Sequence, residues 1–271
     1  SKLTYLLKAS PPPHLRFFDP AAVEALLSRP QAVDIAADVR PLIVREVLFG
    51  YYHELFLGHP DRVRSSWAEF EPRFAQISLA DLPALIEDEV PDPADRFDLD
   101  AFDRPLRGLS FSTTDELQTR LRTHIENDLA RRGDQHFSAD LGAFGALLAV
   151  LVPLSAIMSS GRLSVRSQIV DLPWFFSFFS YFASGPPPRR LQELLALAEA
   201  GIVRFLGPDT EVHVVDGISD VEAAAFVASG PAAPGEIRSR ALIEARIPRT
   251  TLAGSADPLV QNLFRRGELA E

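Results

Sequence analysis

The residues best placed to do chemistry form an aromatic run that is followed by glycine and arginine. Seven of the nine residues in Trp174–Phe182 are aromatic, and Ser184, Gly185 and three prolines separate them from Arg189. Aromatic side chains can wall a site for a flat ring or an apolar substrate. An arginine at a helix N-terminus opposes the helix dipole, which suggests a role other than helix stability. We therefore predict a substrate or anion pocket formed by Trp174, Ser184, Gly185 and Arg189; core packing of the rings and a surface position for the arginine are the alternatives.

The sequence does not indicate metal or thiol chemistry. Cysteine is absent, which excludes disulfides, thiolate catalysis and Cys-based metal sites. The six histidines do not combine with carboxylates at a metal-ligand spacing. The aspartates at 92, 95, 98, 100 and 103 alternate as in some calcium loops, but the segment lacks the glycine and final glutamate of a calcium hand. We expect a solvated loop whose aspartates cap helices, and no metal site.

The composition is that of a soluble globular protein with one large domain or two small ones. The chain has 271 residues, of which 46% are hydrophobic and 24% charged, and its net charge is −10. This charge argues against an electrostatic interface with nucleic acid, since phosphates require a basic surface. The first ten residues lack the apolar run of a signal peptide. We expect a cytoplasmic protein that acts on a small molecule.

One uncharged stretch, 141–161, is about long enough to cross a bilayer. Its two glycines, Pro153 and its serines, and the absence of basic or aromatic flanks, favour a core helix of a soluble domain over a membrane span. We expect this helix to be buried at its middle, at Leu148. The glycine pair at 142 and 145 does not follow a strand, so it does not predict a dinucleotide-binding turn.

The first part of the chain, 1–170, reads as a helical domain. Asp19 before Pro20 predicts a helix start, and apolar residues at helical spacing predict a long helix over 40–57. Shorter helices are expected over 61–76 and 79–89, followed by a loop over 91–108. Thr113 and Glu116 form a capping-box pattern for a helix that ends at Gly133. Ser138 is the predicted cap of the apolar helix.

The second part, 171–271, combines the aromatic segment with helices and strands. A helix is expected over Arg189–Ala200, and one capped by Ser255 extends to Leu269. Strand-like runs occur at Ile202–Leu206, Glu211–Val215, Glu222–Val227 and Ile237–Ile247. The predicted fold class is therefore mixed α+β and mainly helical. It ends in a small β-meander and in the last strand and helix of an incomplete FAD-type, dinucleotide-binding domain whose N-terminal half is missing.

Six stretches of the sequence together are typical of one protein family. They are "PPPHLRFFDPAAVEALL", "VREVLFGYYHELF", "VPDPADRFDLDAFDRPL", "ASGPPPRRLQELLALAEAGIVRFLGP", "ALIEAR" and "SADPLVQNLFRRGEL". Through these stretches, which span nearly the whole chain, the sequence resembles the bacterial FAD/NAD(P)-binding oxidoreductase-like proteins. These proteins are abundant in actinobacteria and are distantly similar to flavin-dependent amine N-hydroxylases.

This resemblance implies a parent protein that oxidises or hydroxylates a substrate with FAD and NAD(P)H. Its dinucleotide-binding half, with the Gly-rich turn, would precede this chain, so the chain alone is expected to bind no cofactor and to be inactive. "ALIEAR" matches a strand that ends beside the flavin in related proteins, although the glycine of that turn is missing here. The residues implied near the cofactor are Ala245, Arg246, Ile247 and Pro258. A non-enzymatic helical module that binds a ligand or a protein is the alternative.

Overall fold

Helices make up most of the chain up to residue 200. The computed structural model describes residues 15–134, 139–183, 185–215, 224–245, 252 and 254–269. In chain order the first helices are α1 (Pro20–Leu27), α2 (Arg40–Gly58), α3 (Trp67–Gln76), α4 (Leu82–Glu89), α5 (Leu99–Asp103) and α6 (Thr114–Gly133). The others are α7 (Ala139–Ala149), α8 (Leu151–Ser159), α9 (Leu172–Ala183), α10 (Pro188–Glu199) and α11 (Pro258–Arg265). Single π-helical turns occur at Ile35–Val39 and Ser167–Asp171, and 3₁₀ turns at Pro60–Arg62 and Pro93–Asp95.

Side-chain caps define the starts of several helices. The Asp19 carboxylate accepts the backbone N–H of Ala22 at 2.8 Å, so the predicted start of α1 is confirmed. Thr113 accepts the N–H of Glu116 at 3.2 Å, which confirms it as the cap of α6. The reciprocal half of the predicted capping box is wrong, because the Glu116 carboxylate accepts the N–H of Ser112 instead. Both bonds still satisfy donors that a helix start leaves without partners.

Two predicted helices begin later than expected. The helix predicted over 61–76 begins as α3 at Trp67, where Ser66 and Glu69 form a complete capping box. The helix predicted over 79–89 begins as α4 at Leu82. The predicted loop over 91–108 contains the short helix α5. The capping box therefore sets the start of α3 more tightly than the apolar spacing indicated.

The core of the helical part forms around a close crossing of α2 and α7. Gly50 of α2 and Gly142 of α7 lie at the crossing, where their backbones touch. A Cβ atom on Gly50 would lie 2.5 Å from the carbonyl oxygen of Gly142, and one on Gly142 would overlap the carbonyl oxygen of Gly50. Ala143 and Ala146 are buried on the same helix. The glycine pair of the sequence thus includes a residue that allows close helix packing.

The apolar stretch 139–159 consists of two helices, α7 and α8, which are separated by a turn at Val150. By length and composition Ala139–Ser159 could cross a membrane, and 39% of its most apolar window is buried in the protein; core helices of soluble proteins meet the same criterion. Leu147 is fully buried, but Leu148, expected to be buried, is 37% exposed. That expectation was wrong because a uniformly apolar sequence has no periodicity that defines the inner face.

The aromatic run forms α9, which packs against the helical part. Phe175 and Phe178 are buried in the hydrophobic core, whereas Phe176 and Tyr181 are exposed. The rings of α9 therefore do not all face the same way. Because α9 belongs to the core of the helices that precede it, packing continues across residue 170. A division of the chain at that residue stays a prediction.

Three short strands form an antiparallel meander after α10. They are β1 (Glu211–Val215), β2 (Ala225–Gly230) and β3 (Ala233–Ser239), in the order β1-β2-β3. The prediction for Glu211–Val215 is confirmed. The run predicted over 222–227 is a strand from Ala225, and residues 216–223 lie outside the described part of the chain. The fold is therefore mainly helical with a small sheet, as expected.

The strand predicted at Ile202–Leu206 is wrong. The backbone there is irregular, and a side chain of α6 replaces a strand partner. The Gln118 amide donates to the carbonyl of Phe205 at 2.7 Å and accepts the N–H of the same residue at 2.9 Å. Because one side chain satisfies both backbone groups, this segment needs no neighbouring strand.

The predicted fourth strand, Ile237–Ile247, is also wrong in its bounds. Its first residues belong to β3, which ends at Ser239. Residues 241–245 have no regular structure, and Ile243 is 89% exposed; Arg246 and Ile247 lie outside the described part of the chain. The sheet of the described residues is an antiparallel meander, so a dinucleotide-binding fold is not shown.

The last helix, α11, begins at Pro258. Its cap is Asp257, whose carboxylate accepts the N–H groups of Leu259 and Val260 at 2.8 and 3.3 Å. The prediction that Ser255 is the cap was wrong because Asp257 lies next to the proline that opens the helix. The Ser255 hydroxyl instead accepts the N–H of Asp257 at 3.2 Å, which orders the turn before the helix.

A buried carboxylate on α2 anchors the segment that leads into α1. Glu46 is almost completely buried, and its Oε1 accepts the backbone N–H groups of Phe17 and, at 2.8 Å, Phe18. Desolvation by burial raises the pKa of Glu46, although these hydrogen bonds act in the opposite direction. The folded chain therefore holds the proton of Glu46 more tightly than the unfolded chain does.

The raised pKa predicts a specific pH dependence of stability. The favourable contribution of Glu46 protonation is fully present below its unfolded pKa and is lost as the pH rises through the folded pKa. Glu46→Gln keeps the acceptor oxygen and does not titrate. We expect the unfolding free energy of the wild type, minus that of Glu46→Gln, to fall as the pH rises from acid to neutral. Urea titrations at several pH values measure it; a difference that rises with pH would contradict the assignment.

Candidate functional site

Trp174, the aromatic residue singled out by the sequence, lies at the start of α9 between two neighbours. The guanidinium carbon of Arg40 is 4.7 Å from the centre of its ring. The ring of Phe178 stacks at 5.9 Å with an interplanar angle of 13°. The indole Nε1 donates to Oδ2 of Asp103 at 3.0 Å. We call Arg40, Asp100, Asp103, Trp174 and Phe178 the Trp174 cluster.

The charged residues of the Trp174 cluster form ion pairs, and one of these pairs is exposed to solvent. Arg40 Nη2 donates to Oδ1 of Asp100 at 2.7 Å, and both side chains are exposed. Asp103 is largely buried, and its Oδ2 also accepts a hydrogen bond from Arg104 Nε at 3.4 Å. Since an exposed ion pair contributes little stability, another carboxylate can replace Asp100 at Arg40 with small loss. A guanidinium over an aromatic ring is suited to bind a carboxylate or a flat polar group.

Sequence reasoning named Trp174 but missed its partners. Arg40 begins α2, Asp103 ends α5, and Trp174 begins α9, so three helices that are distant in sequence bring them together. The signal was present in the sequence, because a half-buried tryptophan usually finds an acceptor for its N–H group. Which carboxylate would accept it could not be read from the spacing.

The other residues of the predicted pocket are placed differently. Arg189 is 84% exposed, and its Nε donates to Oε1 of Glu193 one turn along α10 at 3.1 Å. Gly185 is exposed, and Ser184 lies outside the described residues. The structure thus brings an arginine to Trp174, but this arginine is Arg40. A pocket that joins Trp174 to Arg189 stays a prediction.

The residues predicted near a cofactor lie at the C-terminal end of the described chain. Ala245 is exposed at the end of the irregular segment, and Pro258 is the first residue of α11. Arg246 and Ile247 lie outside the described residues. Their approach to a cofactor stays a prediction.

The five aspartates of the 91–108 segment have individual structural partners. Asp92 and Asp98 cap the Pro93–Asp95 turn and α5, which confirms the predicted capping. The buried Asp95 pairs with Arg62 at 2.9 Å, and the remaining two belong to the Trp174 cluster. No group of three or more His, Cys, Asp or Glu suited to a metal ion occurs within the described ranges. A shallow depression beside Arg62 and Asp95 is open to solvent.

A buried polar network was missed by the sequence analysis. Arg131 of α6 donates to the Tyr51 hydroxyl at 2.6 Å, to the Asp140 carboxylate at 2.8 Å and to the carbonyl of Ala94 at 2.7 Å. Burial raises the pKa of Tyr51, so this residue stays neutral. The network ties α6 to α2 and α7 and to the segment before α5. These three contacts join separate parts of the fold, which indicates a structural role.

Comparison with known proteins adds information on the chemistry of relatives. No family model matches the chain. It is 30% identical over 275 residues to an L-aspartate N-monooxygenase (nitrosuccinate-forming) of Streptomyces davaonensis, a match that covers 95% of this chain and 40% of the relative. It is 32% identical over 231 residues to the enzyme of the same name from Streptomyces cremeus, with 84% and 34% covered. A nitrosuccinic acid synthase of Aspergillus oryzae is 26% identical over 243 residues, with 88% and 35% covered.

These matches confirm the predicted similarity to amine N-oxygenating enzymes, since two of the three relatives are named as N-monooxygenases. Two of the relatives are bacterial. The chain spans about two fifths of the length of the first relative and about a third of the other two. The activity of such a whole protein is therefore a matter for proposal.

Proposed function

We propose that residues 1–271 form the C-terminal part of a cytoplasmic, flavin-dependent amine N-monooxygenase that uses FAD and NAD(P)H. The observation that carries this proposal is the match to two L-aspartate N-monooxygenases over 95% and 84% of the chain. The substrate of the whole protein is a small acidic amino acid of the L-aspartate type. Nucleic acid and membranes are not among its partners.

The proposal places the FAD site outside the described residues. A dinucleotide site needs a strand, a Gly-rich turn and a helix N-terminus that receives the pyrophosphate. β1 and β2 of the meander lead into further strands, and β3 leads into the irregular segment 241–245. A dinucleotide-binding portion of the same enzyme, outside this sequence, would bind FAD and NAD(P)H. FAD would supply the redox chemistry.

The helical part would then lie on the substrate side. Arg40, held over the ring of Trp174 and paired with an exposed aspartate, is suited to bind a carboxylate of the substrate. Arg189, with Ser184 and Gly185, is proposed as a further anion contact. Ala245, Arg246, Ile247 and Pro258 are proposed to face the flavin when the dinucleotide-binding portion is present.

The proposal predicts different behaviour of the isolated chain and of the complete gene product. Because no strand, Gly-rich turn and helix N-terminus occur in this order among the described residues, we expect FAD to bind the chain more weakly than micromolar, or not at all. The complete product is expected to be yellow and to oxidise NAD(P)H faster when L-aspartate is present. Flavin fluorescence titrations and NAD(P)H absorbance measure both effects.

Two outcomes would contradict the proposal. Stoichiometric binding of FAD to the isolated chain, tighter than micromolar, would place the cofactor site within these residues. A complete product that is colourless and unresponsive to L-aspartate would favour the non-enzymatic binding module. L-Alanine, which lacks the second carboxylate, is the matched control for the substrate class.

A further inference from the structure

One face of the β-meander is apolar and open to solvent. The strand register pairs Val212 with Ala228, Val214 with Phe226, and Ala228 with Ile237. Since directly paired residues lie on the same side of a sheet, these five side chains share one face, which we call the meander face; Ser239, which pairs with Phe226, lies at its edge. Val214 is 63% exposed and Val212 45% exposed, and the other three are half-buried.

The opposite face has the reverse character. It carries the charged residues of the paired strands. The register places Glu211, His213, Glu236 and Arg238 on it, together with Val215, Ala225, Ser229 and Val227, of which Val227 is 1% exposed. Antiparallel sheets commonly pack their apolar face on a core and leave the polar face in water. In this sheet the face with the charged residues includes the buried Val227, and the meander face, which has no charged residue, is the one exposed to solvent. A layer that would normally cover an apolar sheet face is therefore missing from the described chain.

We infer that the meander face is the surface on which the dinucleotide-binding portion of the enzyme docks, an inference that rests on the proposed function. More than half of the length of each relative lies outside the match, so under the proposed function a large further part of the enzyme is available to cover this face. None of the residues that the register places on the meander face is charged. The docking layer is consequently apolar, such as the inner side of an amphipathic helix.

The position of Val214 permits a closely matched test. Its neighbour His213 is also exposed on β1 but points to the opposite face. Val214→Lys places a charge in the proposed interface, whereas His213→Lys places the same side chain on the polar side. The probe is the polypeptide that the same gene encodes outside residues 1–271, and calorimetry measures its association with each variant. Val212→Lys serves as a second, independent change on the meander face.

We expect Val214→Lys and Val212→Lys to weaken the association at least tenfold, and His213→Lys to change it less than twofold. Equal effects of the Val214 and His213 changes would overturn the inference, as would association that no variant affects. Light scattering tests whether a second copy of the chain covers the meander face instead. A dimer of the isolated chain that Val214→Lys dissociates would assign the face to this second copy and overturn the inference. A complex that depends on Val214 but neither binds FAD nor responds to L-aspartate would refute the proposed function alone.

Discussion

Gly142→Ala is expected to lower the unfolding free energy by about 3 kcal/mol or more, because the added methyl group has no space. It would overlap the carbonyl oxygen of Gly50, and a backbone atom cannot move aside as a flexible side chain can. Inserting atoms into a packed core typically costs about 1–3 kcal/mol, and sometimes more. Gly50→Ala meets the carbonyl oxygen of Gly142 at 2.5 Å and should have a similar effect.

The control for this pair is Gly133→Ala at the end of α6. Nothing lies within 4 Å of the position that its Cβ would occupy, so we expect a change within about 0.5 kcal/mol. Urea denaturation followed by circular dichroism compares the three variants with the wild type. A Gly142→Ala protein as stable as Gly133→Ala would show that α2 and α7 do not cross at these glycines.

Leu147→Asp is expected to be among the most damaging single changes in the chain. Leu147 is fully buried, so the substitution removes apolar packing and leaves a carboxylate without a partner. The loss should reach about 4 kcal/mol or more. Because small domains have only about 5–15 kcal/mol of stability, this change removes a large part of it.

The adjacent change Leu148→Asp provides the control within the same helix. Leu148 is 37% exposed, so its carboxylate can stay hydrated, and we expect a loss of about 1 kcal/mol or less. Thermal melts of the two variants measure the difference. Equal destabilisation would mean that the outer side of α7 is covered in solution, either by a partner or by a lipid phase.

The sequence predicted those elements whose signals are local. The apolar spacing of α2, the Asp19 cap of α1 and the strand at Glu211–Val215 all depend on neighbouring residues, and the structure confirms them. Asp257 shows the limit of such signals, since Ser255 was the predicted cap and the side chain that caps the helix lies two residues further on.

The wrong predictions depend on partners that are distant in the chain. The segment 202–206 has the composition of a strand, but Gln118 satisfies its backbone from α6. In α7 positions 141–149 are all glycine or apolar, so the sequence did not show which of Leu147 and Leu148 faces inward.

The candidate site was predicted only in part, for the same reason. The aromatic run identified Trp174, but Arg40 and Asp103 reach it from helices more than 70 residues away. No spacing rule connects such residues. The exposed position of Arg189 likewise depends on how α10 lies on the fold, which its own sequence does not define.

The hydrogen bonds from the segment before α1 to Glu46 have a consequence for sequence variation. The carboxylate binds main-chain N–H groups, which every amino acid except proline possesses. Any residue except proline at positions 17 and 18 can therefore keep the hydrogen bonds to Glu46. Only packing restricts the choice of side chain there. Position 46, by contrast, needs a side chain as long as that of glutamate, with an oxygen that accepts hydrogen bonds. One residue on α2 thus fixes the backbone path of a segment whose own amino-acid sequence can change.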